Sequence, residues 1–150
     1  MGLSKYTLQF LEGTSEFVLK ELLEKYPKAK VLESNNLSIS FGSKEKNIEV
    51  FRNLYSPTHI GNSNGKILNL SSREWRKGFV SAGINPSLAY ILCMVAQLKE
   101  EDILLDPFCG SSVIPITALK YFDIKRVICS DISSKAIYTS KENFQSAGIE

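Results

Sequence analysis

The sequence has 150 residues, 43% of them hydrophobic, with 18 basic and 16 acidic side chains and a net charge of +2. That length suits one compact domain or two small ones. So slight a basic excess permits nucleic-acid binding without arguing for it.

Tyr6 to Leu11 reads as a strand. Thr14 or Ser15 can cap a following helix in which Leu19, Leu22, Leu23 and Tyr26 recur at helical spacing, and Pro27 ends it. Lys30 to Glu33 and Leu37 to Phe41 flank Ser34-Asn35-Asn36, a hairpin turn, with Leu37, Ile39 and Phe41 alternating against serines. Lys44 to Asn53 reads as a second helix, and a last strand is expected near Thr58-His59-Ile60. The series is most of a small ferredoxin-like β-α-β-β-α-β domain over residues 1–60. His59 reads as a surface loop residue rather than a ligand, and the sequence offers no metal site.

Gly61-Asn-Ser-Asn-Gly65 opens an expected linker over residues 61–84, containing a short strand at Lys66 to Leu70. Asn85-Pro86 opens a helix, asparagine as N-cap and proline in the first turn. Its stripe is Leu88, Ile91, Leu92, Val95 and Leu98; this apolar stretch is too short for the about 20 residues that a membrane span needs. Strand 102–106, helix 111–121, strand 125–131 and helix 134–147, closed by Gly148, complete an α/β domain over 85–150. No secretory segment precedes Cys93, Cys109 and Cys129, so reduced thiols and a cytoplasmic location are expected.

The informative stretch is Asp106-Pro-Phe-Cys-Gly-Ser-Ser-Val-Ile-Pro115. A strand delivers it, small residues let backbone N–H groups approach a ligand, and the next helix begins there with unpaired donors. Asp131 ends the following strand, where dinucleotide-type folds place a ribose-binding carboxylate. Two acids at consecutive strand ends with glycine between them suggest an adenosine-containing cofactor. The plainer alternatives are a generic strand-to-helix turn and, for Asp131, an acid favoured by a helix dipole. Cys109 reads as packing rather than a nucleophile, since no histidine lies near it in sequence. Arg73-Glu-Trp-Arg-Lys77 either stacks and steers a nucleic acid or is a solvated turn anchored by Trp75.

Asp106-Pro-Phe-Cys-Gly-Ser111, the Ser130-Asp131-Ile132 turn, and Ala136, Asn143, Ala147, Gly148 and Ile149 on the last helix resemble the motifs of S-adenosylmethionine-dependent RNA guanine-N(2) methyltransferases of the THUMP-associated type. Ile84-Asn-Pro-Ser-Leu-Ala89 is similar to the helix that precedes the first strand in that family. The resemblance implies a Rossmann-like methyltransferase fold, S-adenosyl-L-methionine as cofactor, and RNA (tRNA or ribosomal RNA) as substrate. It implies that Asp106 faces the amino group of the cofactor's methionine moiety, with Phe108 and Gly110 shaping the loop around it. Ser111 would donate to the carboxylate, Asp131 would accept from both ribose hydroxyls, and Ile132 would lie against adenine. Asn85 or Ser87 would help hold the carboxylate.

Three departures bear on these expectations. Ser112 and Val113 stand where the family has glycine and threonine, so a Cβ at 112 is expected to narrow the pocket or to require negative φ. The interval from Phe41 to Trp75 is too short for a THUMP domain. No [ND]-P-P-[YF] tetrad occurs in the 150 residues, and Asn85-Pro-Ser-Leu88 lacks its aromatic residue. The chain is therefore expected to supply cofactor binding, not the catalytic acceptors, and not to methylate anything by itself. A sheet this small exposes a strand edge, so self-association or a completing chain is expected. A non-catalytic cofactor-binding scaffold is the second reading, and a DNA or protein amino-methyltransferase the third.

Overall fold

Tyr6 and Leu8 point to one side of the first strand while Lys5 and Thr7 point to the other, which gives β1 (Ser4–Gln9) one buried face. The computed structural model describes residues 2–150. After β1 come α1 (Ser15–Lys25), β2 (Lys30–Ser34), β3 (Ser38–Ser43), a 3-10 helix (Ile48–Asn53), β4 (His59–Asn62) and β5 (Ile67–Asn69). The strands form one antiparallel five-stranded sheet in the order β2-β3-β1-β4-β5. Its inner face carries Tyr6, Leu8, Ile39, Phe41 and Ile60, packed against Val18 and Leu22 of α1 and Ile48 and Phe51 of the 3-10 helix.

Several expected features differ. In α1 the buried residues are Val18, Glu21 and Leu22, while Leu23 is exposed. The carboxylate of Glu21, outside the expected apolar stripe, is buried beside Leu22. The second helix is a 3-10 helix starting only at Ile48, because the Asn47 side chain accepts from Glu49 N–H and caps it late. The stretch Gly61 to Gly65 is not a linker. It is the turn of the β4–β5 hairpin, held by Asn62 Oδ1, which accepts from the N–H of Asn64 and Lys66. Gly65, at φ +81°, supplies the left-handed step in that turn. The chain accordingly divides at Ser71/Ser72 rather than across 61–84.

The second unit begins with residues 72–84, expected to be linker. Trp75 is only 4% exposed and packs with Ala89, Val113 and Ile116. Its indole donates to the Tyr121 hydroxyl, so the anchoring reading of Trp75 is the observed one. α2 (Pro86–Val95), β6 (Ile103–Asp106), α3 (Val113–Phe122), β7 (Arg126–Cys129) and α4 (Ser134–Ser146) follow. β6 and β7 pair in parallel, with α3 as the crossover such a pair requires. α2 buries Ala89, Tyr90, Ile91 and Cys93, leaving the expected stripe residues Leu92 and Val95 exposed. Among the described residues, no helix is long and apolar enough to cross a membrane.

Candidate functional site

The register Asp106↔Cys129 brings the ends of β6 and β7 side by side, and the turns that leave them interlock. Ser130 N–H donates to Asp106 O, and Cys109 N–H donates to Ser130 O. Asp131 ties the two turns through its side chain. One carboxylate oxygen accepts from Gly110 N–H at 2.9 Å and the other from Ser133 N–H at 2.8 Å. A carboxylate offers about four acceptor sites, so two remain for a ligand.

Above these turns lies a cleft of about 560 Å³ within the second unit. Its floor is Asp106, Phe108 to Ser111 and Asp131, and its other wall is Phe79 to Ile84. Five of the residues expected to bind cofactor thus meet in one cavity: Asp106, Phe108, Gly110, Ser111 and Asp131. Ser111 is buried and its hydroxyl has no hydrogen-bond partner. Such an orphaned group is costly unless a ligand or water completes it. Gly110 takes φ +54°, and a Cβ there would sit 3.3 Å from Val80 Cγ2 on the facing wall. A side chain at 110 would therefore be both strained and crowded.

Two expected residues lie elsewhere. The Asn85 side chain accepts from Ser87 N–H as the cap of α2, and neither Asn85 nor Ser87 lines the cleft. Ile132 is fully exposed and also off the lining. Ser112 corrects the expectation drawn from its Cβ. It adopts the left-handed conformation, φ +60°, that glycine would take, and is fully buried off the lining. Its hydroxyl pairs with that of Ser140 at 2.6 Å, offsetting a conformational cost of about 1 kcal/mol. The pocket keeps its width because this side chain points inward to α4.

The wall at 79–84 was not visible in the sequence. It is braced from behind by Arg76, whose guanidinium stacks on Phe79 at 4.6 Å and approaches Gly83, where a Cβ would lie 2.9 Å from Nη2. Burial lowers the Arg76 pKa by disfavouring its charged form. Phe79 and Phe108 remain 65% and 86% exposed at the mouth.

Cys93 and Cys129, which lie off the cleft lining, are poor nucleophiles. Burial pushes Cys93 up to about 12 and Cys129 up to about 11. At pH 8 the thiolate fraction of Cys129 is therefore roughly a hundredfold below that of an ordinary cysteine. Iodoacetamide labelling followed by mass spectrometry is expected to modify Cys129 that much more slowly than free cysteine, accelerating as pH rises toward 11. Labelling at the free-cysteine rate would refute this. Among the described residues, no group of three or more His, Cys, Asp or Glu side chains could hold a metal ion.

Residues 73–150 match the family model described as RMKL-like, methyltransferase domain. The chain belongs to that family. The match falls on the second unit, a methyltransferase domain by family, and makes the cleft its candidate active site. A human relative, the U6 snRNA (guanine-N(2))-methyltransferase THUMPD2 from Homo sapiens, is 28% identical over 83 residues. The match covers 55% of this chain but only 16% of that relative's length. Among solved structures, TrmN from Thermus thermophilus superposes with a TM-score of 0.82 at 14% identity, covering 97% of this chain and 70% of that one. A protein described as a predicted N6-adenine-specific DNA methylase, from Listeria monocytogenes str. 4b F2365, gives 0.75 at 12% identity, covering 99% and 73%. At such identities the likeness to the two structures is one of fold, an α/β methyltransferase fold.

Proposed function

We propose that the protein binds S-adenosyl-L-methionine in the cleft and belongs to an enzyme that methylates the exocyclic amine of guanine in RNA, in the cytoplasm. The observation that carries the cofactor half is the buried, unpartnered Ser111 hydroxyl lining a cavity with two carboxylates at successive strand ends. This donor set fits the group. Asp106 would hold the amino group of its methionine moiety, Ser111 its carboxylate and Asp131 its ribose hydroxyls, with Phe108 and Gly110 shaping the loop. When bound, the cofactor supplies an electrophilic methyl group on a sulfonium. What the chain contributes is orientation: fixed acceptors and amides hold the donor so that an amine lone pair can approach in line. The acceptor half is supported by the activity for which the human relative is named.

The reading includes a ferredoxin-like first unit. In its favour, the order β2-β3-β1-β4, all antiparallel, is what a β-α-β-β-α-β chain gives when each helical crossover joins parallel strands. The 3-10 helix stands in for the second helix, and β5 is an addition at the β4 edge.

Isothermal titration tests the cofactor assignment. S-adenosylhomocysteine is expected to bind one-to-one, and NAD, which carries adenosine on a pyrophosphate, is not. Tighter binding of NAD would overturn it. For the acceptor, the full protein given tritiated methyl donor and RNA is expected to place label on guanine N2. Label on adenine N6 would refute the guanine assignment.

A further inference from the structure

Asn143, on α4, has no exposed surface and does not line the cleft, yet its side chain bonds the backbone of Ser111 in the floor and of Lys77 and Gly78, which lead into the far wall. Its Oδ1 accepts from the N–H of Lys77 and of Gly78, each at 2.9 Å. Its Nδ2 donates to Gly78 O at 3.1 Å and to Ser111 O at 3.0 Å. All four hydrogen-bonding positions of the amide are thereby used. Three of the bonds fix the chain where it enters the Phe79–Ile84 wall, and the fourth fixes the peptide that follows Ser111 in the floor. The approach is close: a Cβ at Gly78 would overlap Thr139 Cγ2, one turn earlier on α4. Aspartate at 143 would have the shape but neither donor, and leucine would leave four backbone groups without this partner. A fully satisfied buried network of this kind holds one arrangement and is costly to break in part.

We propose that Asn143 is a positioning residue that sets the separation of the two cleft walls, and through it the affinity for the methyl donor. The proposal rests on the methyl-donor reading of the cleft. It requires that the Lys77 and Gly78 amides, which lie outside the cleft lining, respond to ligand. In the unaltered chain, S-adenosylhomocysteine is expected to slow their hydrogen exchange at least about tenfold, with the amides of β1 as an internal reference. Unchanged exchange at both, with ligand bound, would overturn the proposal without any variant having to fold.

Variants supply the second arm. Asn143→Asp is expected to weaken S-adenosylhomocysteine binding at least about tenfold, or about 1.4 kcal/mol. Thr139→Ala, which loosens the packing on Gly78 but leaves the amide bonds, is expected to stay within about threefold. Parent-like affinity in Asn143→Asp would refute the assignment. So would affinity losses that track loss of melting temperature equally in both variants, since that is the behaviour of a residue that only stabilises the fold. If the unaltered chain failed to bind S-adenosylhomocysteine, the methyl-donor reading itself would fall, and this proposal with it.

Discussion

Asp131→Asn is expected to bind S-adenosylhomocysteine about a hundredfold more weakly than the unaltered chain, a loss near 2.7 kcal/mol. Two charge-assisted hydrogen bonds to a ribose diol account for that magnitude at about 1.5 kcal/mol each. The geometry raises a competing explanation. Asp131 also accepts from Gly110 N–H and Ser133 N–H, so an amide there must turn its NH2 toward one of them and disturb the turns. The two causes separate with a second ligand. The 2′,3′-dideoxy analogue of S-adenosylhomocysteine has no diol, so the penalty of the substitution is expected to shrink to a few-fold with it. A hundredfold loss with both ligands would mean that Asp131 acts only by holding the loop, and the ribose assignment would be wrong.

What could be read from the sequence is what is local. Asp106 and Asp131 follow apolar strand runs and Gly110 lies in the turn between β6 and α3, so the order strand, turn, helix fixes their neighbourhood without knowledge of the rest of the chain. The structure brings them into one cleft. Asn85 was legible as a cap, and for that reason it was a poor candidate for a ligand contact: its Oδ1 is engaged with Ser87 N–H. Ile132 shows the limit of proximity. Standing next to Asp131 in sequence does not decide the direction of a side chain after the strand has ended, and it points to solvent.

The far wall was illegible for a different reason. Residues 79–84 carry no periodicity, and the segment leading into them, Lys77 and Gly78, is held by Asn143, more than 60 positions away. The hairpin turn at 61–65 misled in the opposite way. Glycine and asparagine mark both turns and linkers, and only the pairing of β4 with β5 distinguishes them.

The second large expected effect lies in the first unit, where a carboxylate occupies a core position. Glu21 is 1% exposed, and its oxygens receive four donors. Oε1 accepts from Lys25 Nζ at 2.6 Å and Tyr55 N–H at 2.9 Å; Oε2 accepts from Ser56 N–H at 2.8 Å and Ser56 Oγ at 2.5 Å. The side chain thus ties α1 to the segment that leads into β4. Glu21→Ala would leave the Tyr55 and Ser56 amides without this acceptor and would remove the carboxylate opposite Lys25, which is expected to cost about 3–5 kcal/mol. Glu21→Gln would retain the shape but turn an NH2 toward one pair of donors, so it is expected to recover only part of that loss.

Hydrogen exchange locates the effect better than a melting curve, because the chain forms two units and need not unfold as one. The amides of β1, β3 and β4 are expected to exchange faster by roughly a hundredfold or more in Glu21→Ala. Exchange in those strands within a few-fold of the unaltered chain would show that the four hydrogen bonds contribute little beyond what water returns to the same groups. The first unit would then owe its cohesion to the Tyr6, Phe41 and Phe51 ring cluster, whose centroids lie 4.8–5.6 Å apart.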